Sequence, residues 1–186
     1  MELYDVILKR RSIRNYSAEP IPEEKLRRII EAGLLAPTSR NRKPCEFYVV
    51  KDKAMLKRLS EVKPAGGAML ADCATAVVVA GDSDKADTWI EDSSIALSYM
   101  QLVAADLGVG SCWCQIRLRG SSSGSDAEGC VRGLLSVLDN YRIVGILALG
   151  MPENEPDPHS PCDADWSKVH IYLPTNANLP YEAGRI

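Results

Sequence analysis

The chain is short of the residues that build metal centres. It has two histidines, His159 and His170, and none of its six cysteines, at 45, 73, 112, 114, 130 and 162, forms a Cys-x-x-Cys pair. A zinc site draws on clustered Cys and His ligands, so this chain is poorly supplied for one, and the cysteines read as reduced thiols. No glycine-rich G-x-G-x-x-G follows the apolar run at 74–80, which removes the dinucleotide fingerprint of a Rossmann domain. No run is long enough to span a bilayer, and Met1 to Lys9 alternates charged with apolar residues, unlike a signal peptide. A cytoplasmic protein without membrane contact is expected. Charge of either sign is not in excess: 22 basic against 25 acidic side chains give a net charge of −3, and the basic ones gather at 9–14, 25–28 and 40–43. That balance argues against a general nucleic-acid binder, which needs an extended positive surface. No Ser/His/Asp arrangement stands out, and both histidines lie in the tail, where a solvent-facing role is expected. Neither a repeat nor a linker interrupts the 186 residues, so one domain is expected, with 46% apolar content to fill its core.

The apolar spacing divides the chain into α and β segments. Residues 2–11 read as a short amphipathic helix. A second helix opens at Pro22, carries Glu23 and Glu24 in its first turn and Leu26, Ile29, Ile30, Gly33 and Leu34 on one face, and is stopped by Pro37. Glu46–Lys51 reads as a strand, 53–62 as a helix, and Ala74–Ala80 as a central strand covered on both faces. Residues 87–107 are apolar around much of a helical circumference. A helix of that kind is buried, and its own small domain has too little chain to wrap it, so a subunit interface is expected. Gly108 and Gly110 then supply a stop and a turn. Gly120–Ser125 is a flexible loop by composition, either an inert surface loop or a mobile lid. Asp126 onward resumes a helix with Val131, Leu134, Leu135 and Leu138 on one face, Ile143–Leu149 is a strand, and Val169–Tyr172 reads as a terminal strand beyond an extended arm, of the kind that often crosses to a partner chain.

Two stretches point to an anion. Arg10-Arg11-Ser12-Ile13-Arg14 concentrates guanidinium groups, whose planar donors match phosphate oxygens in pairs, around a hydroxyl. A helix carboxyl end does not itself attract anions, so the arginines must supply the field. Pro37-Thr38-Ser39-Arg40-Asn41 adds a hydroxyl and amide cluster after the next helix, and the two loops could converge on one phosphorylated ligand. Each also has a plainer reading, as a solvated basic turn and as a capping turn.

The order and spacing of several pieces resemble the nitroreductase family: the Arg-Arg-Ser-x-Arg-x-Tyr run at 10–16, the helix from Pro22 to Ala36-Pro37, the Pro-Thr-Ser-Arg-Asn-x-x-Pro loop at 37–44, the Gly108–Trp113 segment, and the strand ending Leu147–Pro152. The resemblance covers residues 1–172, leaving 173–186 as a tail. It implies an α+β fold with a mixed sheet flanked by helices, an intertwined homodimer, and FMN in two interface pockets. It assigns Arg10, Arg11 and Ser12 to the FMN phosphate and ribityl chain, Arg14 to the pyrimidine edge of the flavin, and Pro37, Thr38, Ser39 and Asn41 to its surroundings, from the same or the other subunit. Ser111, Cys112 and Trp113 fall where the family's backbone passes the ring, with Cys112 an inert apolar cysteine rather than a redox thiol. Cys45 replaces an aromatic residue common in the family. A further phosphate-binding cation has two candidates, His159 and Lys168. The implied activity is NADH- or NADPH-dependent reduction of nitroaromatics, quinones or a related small oxidant by alternating hydride transfers, the flavin carrying the chemistry. The alternatives are another flavin role, such as reductive dehalogenation or flavin supply, or a non-catalytic flavin or nucleotide sensor.

Overall fold

The computed structural model describes residues 2–172 and 178–180. At its centre is a sheet of β1 (Cys45–Val50), β2 (Thr75–Asp82), β3 (Gly110–Gln115) and β4 (Tyr141–Gly150) in the order β1-β2-β4-β3, each neighbouring pair antiparallel. The parallel component of the expected mixed sheet is confined, among the described residues, to one bridge between Ser12 and Ser111. Alternate residues of each strand serve opposite layers, as the pleat requires. Ala76, Val78, Ala80, Cys112, Cys114, Ile146 and Ala148 meet α3 (Lys53–Glu61), α4 (Met69–Asp72) and α6 (Ala127–Leu135), while Val77, Val79, Leu147 and Leu149 meet α2 (Glu23–Leu34) and α5 (Trp89–Asp106). The continuous apolar run at 74–80 thus reported two covered faces and not strand direction, since β2 is antiparallel to both neighbours.

The helices follow their sequence signals. Asp52 caps α3 by accepting the Met55 amide, and Asp126 caps α6 by accepting those of Glu128 and Gly129. Gly33 lets α2 lie close to α5, because a β-carbon there would meet Phe47 at 2.9 Å and Met100 at 3.1 Å. Leu138, expected on the inner face of α6, is exposed: the helix ends at Leu135, Ser136 turns left-handed, and Leu138 leaves the helical repeat.

α5 is buried by its own chain along one stripe, Asp92, Ser93, Ala96, Leu97, Met100, Gln101 and Ala104. Ile95, Tyr99 and Leu102, at the spacing of a second helical face, remain partly or well exposed. α1 (Leu3–Lys9) buries Val6 and leaves Leu3, Tyr4 and Ile7 in solvent. β1 and β3 are the edges of the sheet. Beyond β4 an extended strap lies against α1 and leads to β5 (His170–Tyr172), which pairs with β6 (Asn178–Pro180) and with none of the four central strands. The expected tail at 173–186 lies outside the described residues except for the β6 backbone. The 120–125 loop is anchored to the end of α3, where the Ser122 amide donates to the Val62 carbonyl at 2.8 Å and its hydroxyl to Glu61. Among the described residues no helix is long and apolar enough to cross a membrane.

Candidate functional site

Helix α1 ends at Lys9, and Arg10 is already extended. The basic run is therefore a strand-like segment, in which alternate side chains point to opposite sides. Ser12 bridges to Ser111, and the Ile13 amide donates to the Ser111 carbonyl at 2.9 Å, so the run docks on the outer edge of β3. Ser12, Arg14 and Arg10 all lie close enough to the Cys112 thiol to act on it. Burial nevertheless prevails and pushes the Cys112 thiol up, against the pull of Arg14, Ser12 and Arg10.

Arg11 goes the other way. Its guanidinium donates to the Asp157 carbonyl in the strap, and with Ile13 it lines a cleft of about 370 Å³ between α1, the turn after α5 and the strap. Leu8, Val109, Pro152, Pro156 and Pro158 give that cleft apolar walls, and Lys9 and His159 stand at its rim. Lys9 pairs with Glu155 at 3.7 Å, and the His159 amide donates to the Leu8 carbonyl at 2.8 Å. Of the two candidate C-terminal cations, His159 reaches this region, whereas Lys168 pairs with Asp165 at 3.2 Å and is not part of the cleft lining.

Two facing glycines make room for the run. Gly110 and Gly150 are partners in the β3–β4 ladder, and a β-carbon would meet Ile13 at 2.9 Å on the first and the Tyr16 ring at 2.6 Å on the second. Tyr16 then fixes the end of the run, its hydroxyl donating to the Ile13 carbonyl at 2.7 Å. Burial holds the phenol far above its usual range.

The edge of β3 beyond Ser12 is open. Cys112 and Cys114 face Ala148 and Ile146 in the ladder, and main-chain groups alternate along a strand, so Ser111, Trp113 and Gln115 turn theirs outward. Ile13 takes the Ser111 carbonyl and Lys63 Nζ the Gln115 carbonyl, at 2.7 Å. Between these two anchors lie the outward amides of Trp113 and Gln115. Sequence reasoning did not find Lys63, because its role depends on the α3–α4 turn meeting the end of β3.

The 37–44 loop is elsewhere. Its Ser39 amide donates to Oδ1 of Asp92 at 2.9 Å, on the first turns of α5, whereas the arginine run lies by the turn that follows the last one. Seventeen residues separate Asp92 from Val109, a distance of about 25 Å at helical rise. The structure thus brings Arg10, Ser12, Arg14, Ser111, Cys112 and Trp113 together. It does not bring Pro37, Thr38, Ser39 or Asn41 to them within one chain.

Among the described residues no group of three or more Cys, His, Asp or Glu side chains could hold a metal ion. The arrangement presents two cations, a hydroxyl and outward main-chain amides beside an open sheet edge, a donor set for a flat ligand bearing an anion.

A profile described as Nitroreductase family matches residues 7–66 and 61–151. A solved FMN-dependent nitroreductase from Clostridium difficile R20291 is 40% identical in sequence, with a TM-score of 0.89 and coverage of 91% of this chain and 99% of its own. A protein of Archaeoglobus fulgidus provisionally named NADH dehydrogenase/NAD(P)H nitroreductase is 35% identical over 160 residues, 84% of this chain and 88% of its own length. An NAD(P)H-type FMN reductase of Bacillus subtilis is 36% identical over 92 residues, 49% of this chain and 36% of its own length.

Proposed function

Since the chain belongs to the nitroreductase family, we propose that it is an FMN-dependent oxidoreductase that takes hydride from NADH or NADPH and passes it to a nitroaromatic, a quinone or a related small oxidant, the two substrates occupying one site in turn. The observation that carries this reading is the docking of Arg10, Ser12 and Arg14 on the open edge of β3, beside the outward amides of Trp113 and Gln115. These residues fit FMN in chemistry as well as in place: guanidinium and hydroxyl donors for the phosphate and ribityl chain, and main-chain donors for the polar rim of the ring. Bound there, FMN supplies the two-electron hydride chemistry. The protein would bind and orient it, and Arg14, which the resemblance assigns to the pyrimidine edge, would offer a fixed positive charge to the negative charge that collects there on reduction. No protein acid or base is needed for hydride transfer itself. Arg11, tied to the strap, serves the shape of the cleft rather than the phosphate.

The working unit in this proposal is a homodimer. Ile95, Tyr99 and Leu102 on α5 and Leu3, Tyr4 and Ile7 on α1 leave apolar surface that a second copy would cover. If the two α5 helices meet antiparallel across a two-fold axis, the Asp92 end of one lies by the Gly108 end of the other, and each 37–44 loop reaches the partner's arginine run. The outer edge of β1 is then open to the partner's arm.

Subunit complementation tests the site and its sharing together. One chain carries Arg10→Ala with Ser12→Ala, the other Ser39→Ala with Asn41→Ala, and neither homodimer should retain FMN. After co-refolding at equal amounts, roughly a quarter of the sites should recover flavin fluorescence quenching and NAD(P)H turnover, because half the dimers are mixed and each mixed dimer has one intact site. No recovery, with mixed dimers present, would overturn the shared site. Failure of the parent protein to take up FMN would overturn the cofactor.

A further inference from the structure

We infer that Asp92 is the positioning residue of the cofactor loop: it touches no ligand itself but presets the shape in which residues 37–44 are presented. This rests on the reading of that loop as part of an FMN site completed by a second copy. Asp92 lies in the first turns of α5 and is 2% exposed. A buried carboxylate is tolerated when donors surround it. Here the Ser39 amide donates to one oxygen at 2.9 Å, the Thr88 hydroxyl donates to the other at 3.2 Å, and the amino end of the helix adds favourable dipoles.

What Asp92 holds is a strained backbone. Arg40, Asn41 and Lys43 adopt left-handed φ values of 51°, 54° and 47°, none of them a glycine. Such conformations persist only where surrounding contacts over-determine them, and they concentrate at ligand clamps. Within the loop, the Lys43 amide donates to the Thr38 hydroxyl at 3.0 Å and the Asn41 amide to the Thr38 carbonyl at 3.0 Å. On its far side, Arg42 donates to the Lys85 carbonyl at 2.8 Å and Lys85 to the Lys43 carbonyl at 3.1 Å. These bonds shape the loop and tether it to the 82–85 turn. The Ser39–Asp92 bond fixes it to α5, the helix whose other end carries the turn into β3. A loop held in advance loses less conformational freedom on binding, so Asp92 should raise cofactor affinity through pre-organisation.

The test compares Asp92→Ala with Asp92→Asn, which keeps an acceptor for Ser39 and can bond Thr88 through its amide. The readouts are FMN titration by fluorescence and hydrogen exchange of the Ser39 amide in the apo protein. Asp92→Ala should weaken FMN binding about ten-fold or more and release the Ser39 amide to fast exchange, while Asp92→Asn restores both to near the parent values. A general packing defect would not be rescued by the amide in this way. Should Asp92→Ala fail to fold, exchange in the parent protein decides. A protected Ser39 amide beside a fast-exchanging Arg40 amide supports the pin, and fast exchange at Ser39 overturns it. If the parent does not bind FMN, the cofactor reading falls and the exchange result still judges the pin. If the parent binds FMN and Asp92→Ala binds it equally well, the inference falls alone.

Discussion

Gly150→Ala should damage the protein through one ring. A β-carbon at 150 would lie 2.6 Å from Cδ1, 2.8 Å from Cγ and 3.0 Å from Cβ of Tyr16. These are atoms at the root of the side chain, so no rotation of a flexible tip relieves the contact. The ring cannot easily swing away either, because its hydroxyl is tied to the Ile13 carbonyl at 2.7 Å and its backbone bridges to Pro152, with the Ser17 amide on Met151 at 2.9 Å. Overpacking of this kind costs about 1–3 kcal/mol, and losing the Tyr16–Ile13 bond adds about 1 kcal/mol. For a domain of this size each kcal/mol lowers the melting temperature by about 2–4 °C, so a fall of roughly 4–16 °C is expected in a circular dichroism melt.

The same clash should reach the arginine run, because Tyr16 fixes the end of the segment that carries Arg14. FMN affinity should therefore fall along with stability. A double-mutant cycle isolates the cause: in the Tyr16→Ala background the ring is gone and only the 3.0 Å approach to the remaining Cβ persists, so the cost of the added methyl should fall to less than half. An unchanged melting temperature for Gly150→Ala, or an equal loss with and without the Tyr16 ring, would refute the account of the paired glycines as a bed for the run.

Arg10→Ala and Ser12→Ala should each weaken FMN binding in a fluorescence titration, by about 1–3 kcal/mol for the arginine, whereas Arg11→Ala should leave the affinity near that of the parent and increase proteolysis of the strap. Arg14→Ala should lower the two-electron potential of the bound flavin, with each 1.4 kcal/mol of lost stabilisation appearing as about 30 mV in dye equilibration, while much of the FMN affinity remains. Cys73, fully buried and with its thiol pushed up to about 11 by burial, should make stability fall between about pH 9 and pH 11. In that window the unfolded thiol has ionised and the folded one has not, so the unfolded state binds fewer protons and the slope is negative, about 1.4 kcal/mol per pH unit at most; Cys73→Ala should flatten it in chemical denaturation.

The elements that were legible in the sequence are those whose side chains announce their own environment. α2 shows its buried stripe, and β2 shows two covered faces. β3 was not legible as a strand: Gly110-Ser111-Cys112-Trp113-Cys114 has little alternation of its own and is fixed by six ladder partners on β4. Apolar spacing extends the first helix to residue 11, which places Arg10 and Arg11 together in its last turn, and the resemblance groups both with Ser12. In the extended form, Arg10, Ser12 and Arg14 stand on one side and Arg11 on the other, so the boundary at Lys9 carries chemical meaning. Asp92 escaped notice because an acidic residue in the first turn of a helix is ordinary. Its importance comes from Ser39, 53 residues away in the chain.

A sequence also places both halves of the candidate site on one chain without saying whether they meet there. The answer follows from the length of α5. Its 18 residues span about 27 Å, with the 37–44 loop fastened near one end and the arginine run beside the turn after the other. Side-chain rotation cannot close that gap, and a helix buried along one whole stripe cannot shorten. Either the two loops serve different ligands, or a second copy supplies the missing half. The second face of α5, with Ile95, Tyr99 and Leu102 at its centre, favours the second copy, because an antiparallel neighbour on that face exchanges the two ends. In the proposed dimer the apolar circumference of residues 87–107 would be part of the site: the residues that look like surplus hydrophobicity in one chain would set the distance and direction at which the arginine run and the 37–44 loop face each other.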